Sequence, residues 1–216
     1  MSMGISRSRG HWEFTARSET LNALIGYAYD LYGFQVSGGP TWTTSQRYDI
    51  TVELADSKEA RVRLDLQNFL KERFQLTLHR ETKETPVYEL IVGDTGPRLN
   101  EVPPTHLVPS RTNKTIISPP GHLVAKQTTP AALARVLSIL TGRLVVDKTG
   151  LKAFYNFTLD WKANPGMLNS QGAPSPASVA SILSSVPAEL GLELKAQTSP
   201  VEMLVVDHAT EVTDKR

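Results

Sequence analysis

Residues 14–42, FTARSETLNALIGYAYDLYGFQVSGGPTW, are matched 109 positions later by residues 123–151, LVAKQTTPAALARVLSILTGRLVVDKTGL. The shift sets Ala16 on Ala125, Thr20 on Thr129, Leu24 on Leu133 and Gly33 on Gly142. After small insertions the match resumes: Tyr48-Asp49-Ile50-Thr51-Val52 faces Tyr155-Asn156-Phe157-Thr158-Leu159, and Pro86-Val87 faces Pro200-Val201. A chain that repeats itself over such a length takes the half-chain as its structural unit.

The first copy opens with His11 to Ala16, which alternates large and polar residues as a short strand does, and Ser18 or Thr20 can cap the helix that follows. Leu21, Leu24, Ile25, Ala28 and Leu31 recur at helical spacing, so a helix is expected over about 20–32, closed by Gly33 as a left-handed cap. Phe34 to Ser37 and Tyr48 to Leu54 read as strands, Val62 to Arg73 as a second helix, and Phe74 to Leu78 with Tyr88 to Val92 as a closing hairpin. The second copy has clearer punctuation. Thr129-Pro130 is an N-cap and first-turn proline, Leu133, Val136, Leu137 and Leu140 form the apolar face, and Gly142 is the stop. Leu144 to Val146 and Phe154 to Trp161 are its middle strands, and Leu190 to Lys195 with Val201 to Asp207 its last pair. Pro187 falls where the fourth helix should still run, so that helix must kink or restart near Ser185.

The expected fold is therefore α+β, with two tandem β-α-β-β-α-β-β repeats related by a pseudo-twofold axis. The first repeat covers 11–93, a proline-rich extended linker 94–121, the second repeat 122–208 and a flexible tail 209–216. Residues 163–178, ANPGMLNSQGAPSPAS, form a long loop peculiar to the second copy.

Composition excludes whole classes of function. The 23 basic and 22 acidic residues leave a net charge of +1, which provides no bulk field for nucleic acid or an anionic membrane. There are no cysteines, hence no disulfides, thiolate metal sites or thiol nucleophiles. No apolar run is long enough to span a bilayer, and residues 1–10 lack the apolar core of a signal peptide.

The succession SGGPTWTTSQRYDI, RFQLTLHRETKETPVYELIV, GRLVVDKTGLKAFYNFTLDW, LGLEL and PVEMLVVDH resembles the acidobacterial duplicated domain of unknown function, a soil-bacterial family. The likeness runs from about Phe14 to His208. It implies an extracytoplasmic protein, periplasmic or secreted, since members typically carry an export signal and some are attached to membrane metallopeptidase sensors. This chain departs in starting almost directly at the first repeat and in having Pro187 in the fourth helix. Each half, most clearly Leu133 to Val146, is also similar to the short N-terminal domain of secretins and TonB-dependent receptors, a docking module without catalysis. That likeness implies a binding role by fold analogy only.

Hydrolase signatures such as G-x-S-x-G and H-E-x-x-H are absent, and no two of the five histidines have zinc-ligand spacing. Two matching strand ends remain: Val145-Val146-Asp147, and Val205-Val206-Asp207 followed by His208. If both reached one rim, Asp147, Asp207 and His208 would form a catalytic group that activates water, with Asp160 or Glu202 nearby. Asp147 and Asp207 would then be hard oxygen ligands suited to calcium. The competing reading gives Asp147 a turn in Asp-Lys-Thr-Gly and makes Asp207-His208 a strand end. Among the aromatics Trp42, Tyr48, Tyr155 and Trp161 are candidate binding residues, Trp42 first because it falls in a loop; their competing role is core packing. Ser37-Gly38-Gly39-Pro40 lacks the Lys and helix of a phosphate loop and reads as a turn. Asn156-Phe157-Thr158 is a glycosylation sequon placed in a strand.

The expected function is a non-catalytic recognition or sensory module of the bacterial envelope, offering a sheet edge or groove to a small ligand or an envelope protein, without nucleic acid or membrane insertion. The rival is a hydrolase of small esters or acyl lactones, calcium-dependent if Asp147 and Asp207 hold the ion. A third alternative is a purely structural partner domain.

Overall fold

The computed structural model describes residues 2–8, 11–55, 58–103, 114–117, 121–162 and 175–212. It is a mixed α+β protein, with five α-helices among the described residues, folded as two compact units: residues 1–83 with 200–216, and residues 84–199.

In the first unit β1 (Ser2–Ser8), β2 (His11–Thr20) and β4 (Arg47–Leu54) form an antiparallel sheet in the order β1-β2-β4. Helices α1 (Leu21–Ala28) and α3 (Glu59–Arg73) supply much of the rest of the core. Phe14, Leu21, Leu24, Ile25, Val62, Leu66 and Leu70 are fully buried. Thr20 caps α1 by accepting a hydrogen bond from the Ala23 N–H.

The first helix ends earlier than expected, and Gly33 is not its stop. Asp30 takes the left-handed position at φ 57°, the Leu31 N–H returns to the Gly26 carbonyl at 2.8 Å, and the Asp30 N–H bonds the Tyr27 carbonyl. This is the bond pattern of a Schellman stop, with aspartate in the place glycine usually takes. Arg63 grips the Asp30 carboxylate at 2.7 Å and the Gln67 amide donates to the Ala28 carbonyl at 2.7 Å. Gly33 opens a 3-10 turn, Gly33–Gln35, before the short strand β3 (Val36–Gly38). Gly38 and Gly39 have φ of 75° and 73°, and a Cβ on Gly38 would lie 2.9 Å from the Val206 carbonyl oxygen. Ser37-Gly38-Gly39-Pro40 is a close-packed turn. Trp42 lies on the short helix α2 (Trp42–Ser45) rather than in a loop.

The expected closing hairpins are replaced by two long strands, β5 (Thr77–Val92) and β11 (Leu192–His208), which are hydrogen-bonded neighbours. Neither His79 to Glu84 nor Ala196 to Ser199 contains glycine or an Asn-Gly or Asp-Gly pair, so neither favours the positive-φ turn a tight hairpin needs. Each strand continues through that segment, and each contributes residues to both units. In the first unit Leu204 to Val206 of β11 pair in parallel with Val36 to Gly38 of β3, and Leu204 and Val206 are buried in that core. In the second, Tyr88 to Leu90 of β5 pair in parallel with Val145 to Asp147 of β9 (Val145–Asp147), and Tyr88 and Leu90 are buried there. The last strand of each sequence half thus completes the unit built mainly from the other half.

The second unit has the sheet β6-β10-β8-β7, formed by β6 (Asn100–Val102), β7 (Lys114–Ile117), β8 (His122–Thr128) and β10 (Phe154–Asp160). The described parts of the expected linker therefore include strands β6 and β7; its residues 104–113 and 118–120, and residues 163–174 of the second loop, lie outside the described residues. Helix α4 (Pro130–Thr141) begins at the Thr129 cap and ends at Gly142, φ 65°. Helix α5 (Pro176–Ser185) passes into a π-helical turn, Val186–Leu190, that accommodates Pro187 and closes on Gly191 at φ 62°. The start of the expected flexible tail is fastened within the first unit: Ala209 is buried, and the Thr210 N–H bonds the Phe74 carbonyl at 2.7 Å.

One local device occurs in both units. Ser18 and Gln127, 109 positions apart, have positive φ of 55° and 49° beside irregularities in the β2–β4 and β8–β10 ladders. The Ser18 N–H donates to the Asp49 carboxylate at 2.7 Å, and the Gln127 N–H to the Asn156 side-chain oxygen at 2.8 Å. Asp49 and Asn156 are the matched pair of the sequence repeat, each satisfying a backbone donor that the bulge leaves unpaired.

Candidate functional site

The strongest candidate is a cleft in the second unit, about 680 Å³ in volume, between the end of β10 and helix α5. Asp160, Trp161 and Lys162 form one wall and Ser181, Ser184 and Ser185 the other. The walls are tied by backbone bonds. The Lys162 N–H donates to Ser181 Oγ at 2.8 Å, the Asp160 N–H to Glu189 at 2.9 Å, and the Trp161 N–H to the Gly121 carbonyl at 2.8 Å. Serines recur at 178, 181 and 184, and helical spacing gathers them on one side of α5.

Trp161 is 6 % exposed, and its indole Nε1 is enclosed without a hydrogen-bond partner among the described residues. Lys162 has no carboxylate partner among the described residues. At the rim the His122 Nδ1 meets the Asp160 carboxylate, with 36 % and 61 % of the two side chains exposed. The cleft thus offers a cation, hydroxyls that both donate and accept, and a paired carboxylate, with an aromatic ring in its wall. This composition suits a small polar ligand and lies within the size range of ligand clefts.

The residues singled out from sequence have other surroundings. Asp147, in the second unit, accepts bonds from the Thr149 N–H at 3.0 Å and the Thr149 hydroxyl at 2.7 Å, closing the Asp-Lys-Thr turn. Asp207 and His208 belong to the first unit. Asp207 meets His79 Nδ1 at 2.7 Å, His208 Nε2 lies 3.3 Å from the Thr210 hydroxyl, and Glu202 pairs with Arg80. Among the described residues no group of three or more His, Asp or Glu side chains is placed to hold a metal ion.

Trp42, Tyr48 and Phe74 pack against one another in the first core, with Tyr48 edge-on to Phe74 at 5.1 Å. Burial, and secondarily the charge of Glu211, raises the Tyr48 pKa. Tyr155 is buried in β10. Of the four aromatics only Trp161 lines the cleft. Asn156 bonds Gln127 through its side chain, which accounts for its place in the fold without glycosylation.

Sequence reasoning passed over Lys162, His122 and the serines of α5. The serine spacing in ASVASILSS was legible, but nothing in sequence set it opposite β10.

A family model fits this chain over residues 22–209, that of the protein of unknown function DUF3738, and the chain belongs to that family. Neither a curated protein nor a solved structure matches it significantly. No helix among the described residues is long and apolar enough to cross a membrane.

Proposed function

We propose that this protein is a recognition module whose second unit binds a small polar ligand in the cleft between β10 and α5. The observation that carries the reading is the cleft itself, which brings Lys162, without a carboxylate partner among the described residues, three serines and Trp161 to one concave surface. Ligand clefts of this size combine an apolar wall with a few convergent polar groups, and this one has both. Lys162 sets a preference for an anionic group, the serine hydroxyls complete its hydrogen bonds, and Trp161 supplies the wall. The matched bulge caps at Asp49 and Asn156 support a reading of the chain as a duplicated unit in which one copy carries the cleft. A role in the bacterial envelope is part of this reading, supported by the resemblance to a family whose members typically carry an export signal.

The test is a thermal-shift screen of the whole protein against carboxylic acids, amino acids, short peptides and sugars, repeated with Lys162→Ala and Ser181→Ala. The expected result is one anionic class that raises the melting temperature of the parent and loses at least about tenfold in affinity in Lys162→Ala, the order of one charge-assisted bond. No stabilising class, or a class whose binding is unchanged in both variants, overturns the reading.

A further inference from the structure

Strand β4 is the outermost strand of the β1-β2-β4 sheet, and among the described residues no strand pairs with its far edge. Eight residues, Arg47 to Leu54, present that edge, whereas β3, β6, β7 and β9 are three or four residues long. Soluble proteins protect edges of such length with proline, bulges or inward charges. Strand β4 has no proline, and its core side is Tyr48, Ile50, Val52 and Leu54. The opposite side, Arg47, Asp49, Thr51 and Glu53, is exposed.

The charges at the two ends of that side lack opposite partners among the described residues. Glu53 stands directly across from Glu13 of β2, and neither carboxylate has a cationic partner among the described residues. Like charges in directly opposed positions destabilise a ladder. At the other end of β4, Arg47 donates to the Ser18 carbonyl at 2.8 Å and has no carboxylate among the described residues. A cation at one end and an acidic pair at the other make the edge complementary to itself under a twofold rotation.

We propose that β4 pairs antiparallel with β4 of a second copy of this chain, on a twofold axis at Ile50. In this register Arg47 meets Glu53 of the other copy, Tyr48 meets Val52, Asp49 meets Thr51, and Ile50 meets its own counterpart. Each Arg47 then neutralises the Glu13–Glu53 pair across the axis, twice in the dimer, and the unpaired backbone groups of both edges are satisfied. The interface is isologous and rests on main-chain bonds and two screened ion pairs, so association is weak and salt-sensitive.

Sedimentation velocity across the micromolar range, at low and high salt, tests this with R47E, E53R and the R47E/E53R double variant, whose folding is checked by circular dichroism. All the altered side chains are exposed. The expected result is a concentration-dependent dimer that weakens at least about tenfold in each single variant, one ion-pair reversal per contact, and recovers in the double variant. A parent that stays monomeric, a dimer indifferent to both single changes, or a folded double variant that fails to recover overturns the proposal.

Discussion

Helix α1 leaves its Thr20 cap and stops after 8 residues, whereas α4 leaves the equivalent Thr129 and runs for 12. Both threonines accept from the N–H three residues on, so the starts are alike. The stops differ because Asp30 enters the left-handed region in the first unit, held by Arg63, while in the second the helix continues to Gly142. Matched residues therefore do not imply matched backbone. The same applies at larger scale to the long strands: the sequence repeats as two halves, but the compact units are residues 1–83 with 200–216 and residues 84–199.

Truncation separates these two descriptions most sharply. A chain ending at Ser199 loses Leu204, Val206 and Ala209 from the first core and nothing from the second. Two buried aliphatic side chains alone are worth about 1.5–3 kcal/mol each, a large share of a small domain's roughly 5–15 kcal/mol. The expected outcome is loss of hydrogen-exchange protection in α1 and α3 with protection of α4 and α5 retained. If the sequence halves were the folding units, the damage would fall on α4 and α5 instead.

Next in size is Gly191→Ala. A Cβ there would sit 2.0 Å from the Gly96 carbonyl oxygen, at φ 62°, so the turn Gly93 to Arg98 would have to move. Gly150 shares the positive φ, 71°, with nothing within 4 Å. Denaturant melts should show a loss of about 3 kcal/mol or more for Gly191→Ala, where clash adds to strain, and about 1 kcal/mol for Gly150→Ala, where strain acts alone. Equal losses would mean that the Gly96 contact is unimportant.

The bulge caps call for a finer measurement. The Gln127 N–H bonded by Asn156 is part-buried, and the Ser18 N–H bonded by Asp49 is exposed. Water can replace the second cap more readily than the first. Asn156→Ala should cost about 1–2 kcal/mol and Asp49→Ala less than about 1, measured by chemical unfolding of the unit that holds each. The reverse order would place the tighter bulge in the first unit.

These contrasts mark what was legible in the sequence. Helix starts at Thr20 and Thr129, the stop at Gly142 and the break near Pro187 are local chemistry, set by caps, glycine and proline, and could be read from neighbouring residues. The stop at Asp30 depends on Arg63 and Gln67, more than thirty positions away, and the exchange of strands depends on the absence of a turn. The cleft is harder still: Lys162 and Ser181 meet only because β10 and α5 pack, and helical spacing gathers the serines without saying what they face. Trp161 was visible as an aromatic, but its place in the wall of a cleft was not.

The smallest effect expected is at Tyr48, the counterpart of Tyr155 in the repeat. Its hydroxyl is enclosed without a hydrogen-bond partner among the described residues, and burial, followed by the nearby Glu211, raises its pKa above the ordinary 10.0. The folded chain therefore holds this proton after the unfolded chain has begun to release it. Its contribution to stability is complete below about pH 10 and falls as pH rises through and beyond that value, because the unfolded state then binds fewer protons. Tyr48→Phe removes the enclosed hydroxyl while leaving the ring against Phe74. It should leave stability near neutrality unchanged or raised by up to about 1 kcal/mol, and should flatten the alkaline decline. Urea melts at about pH 8 and about pH 10.5 test both points. A variant weaker than the parent at the lower pH would mean the hydroxyl has a partner after all, and an alkaline decline as steep as the parent's would assign that decline to other groups.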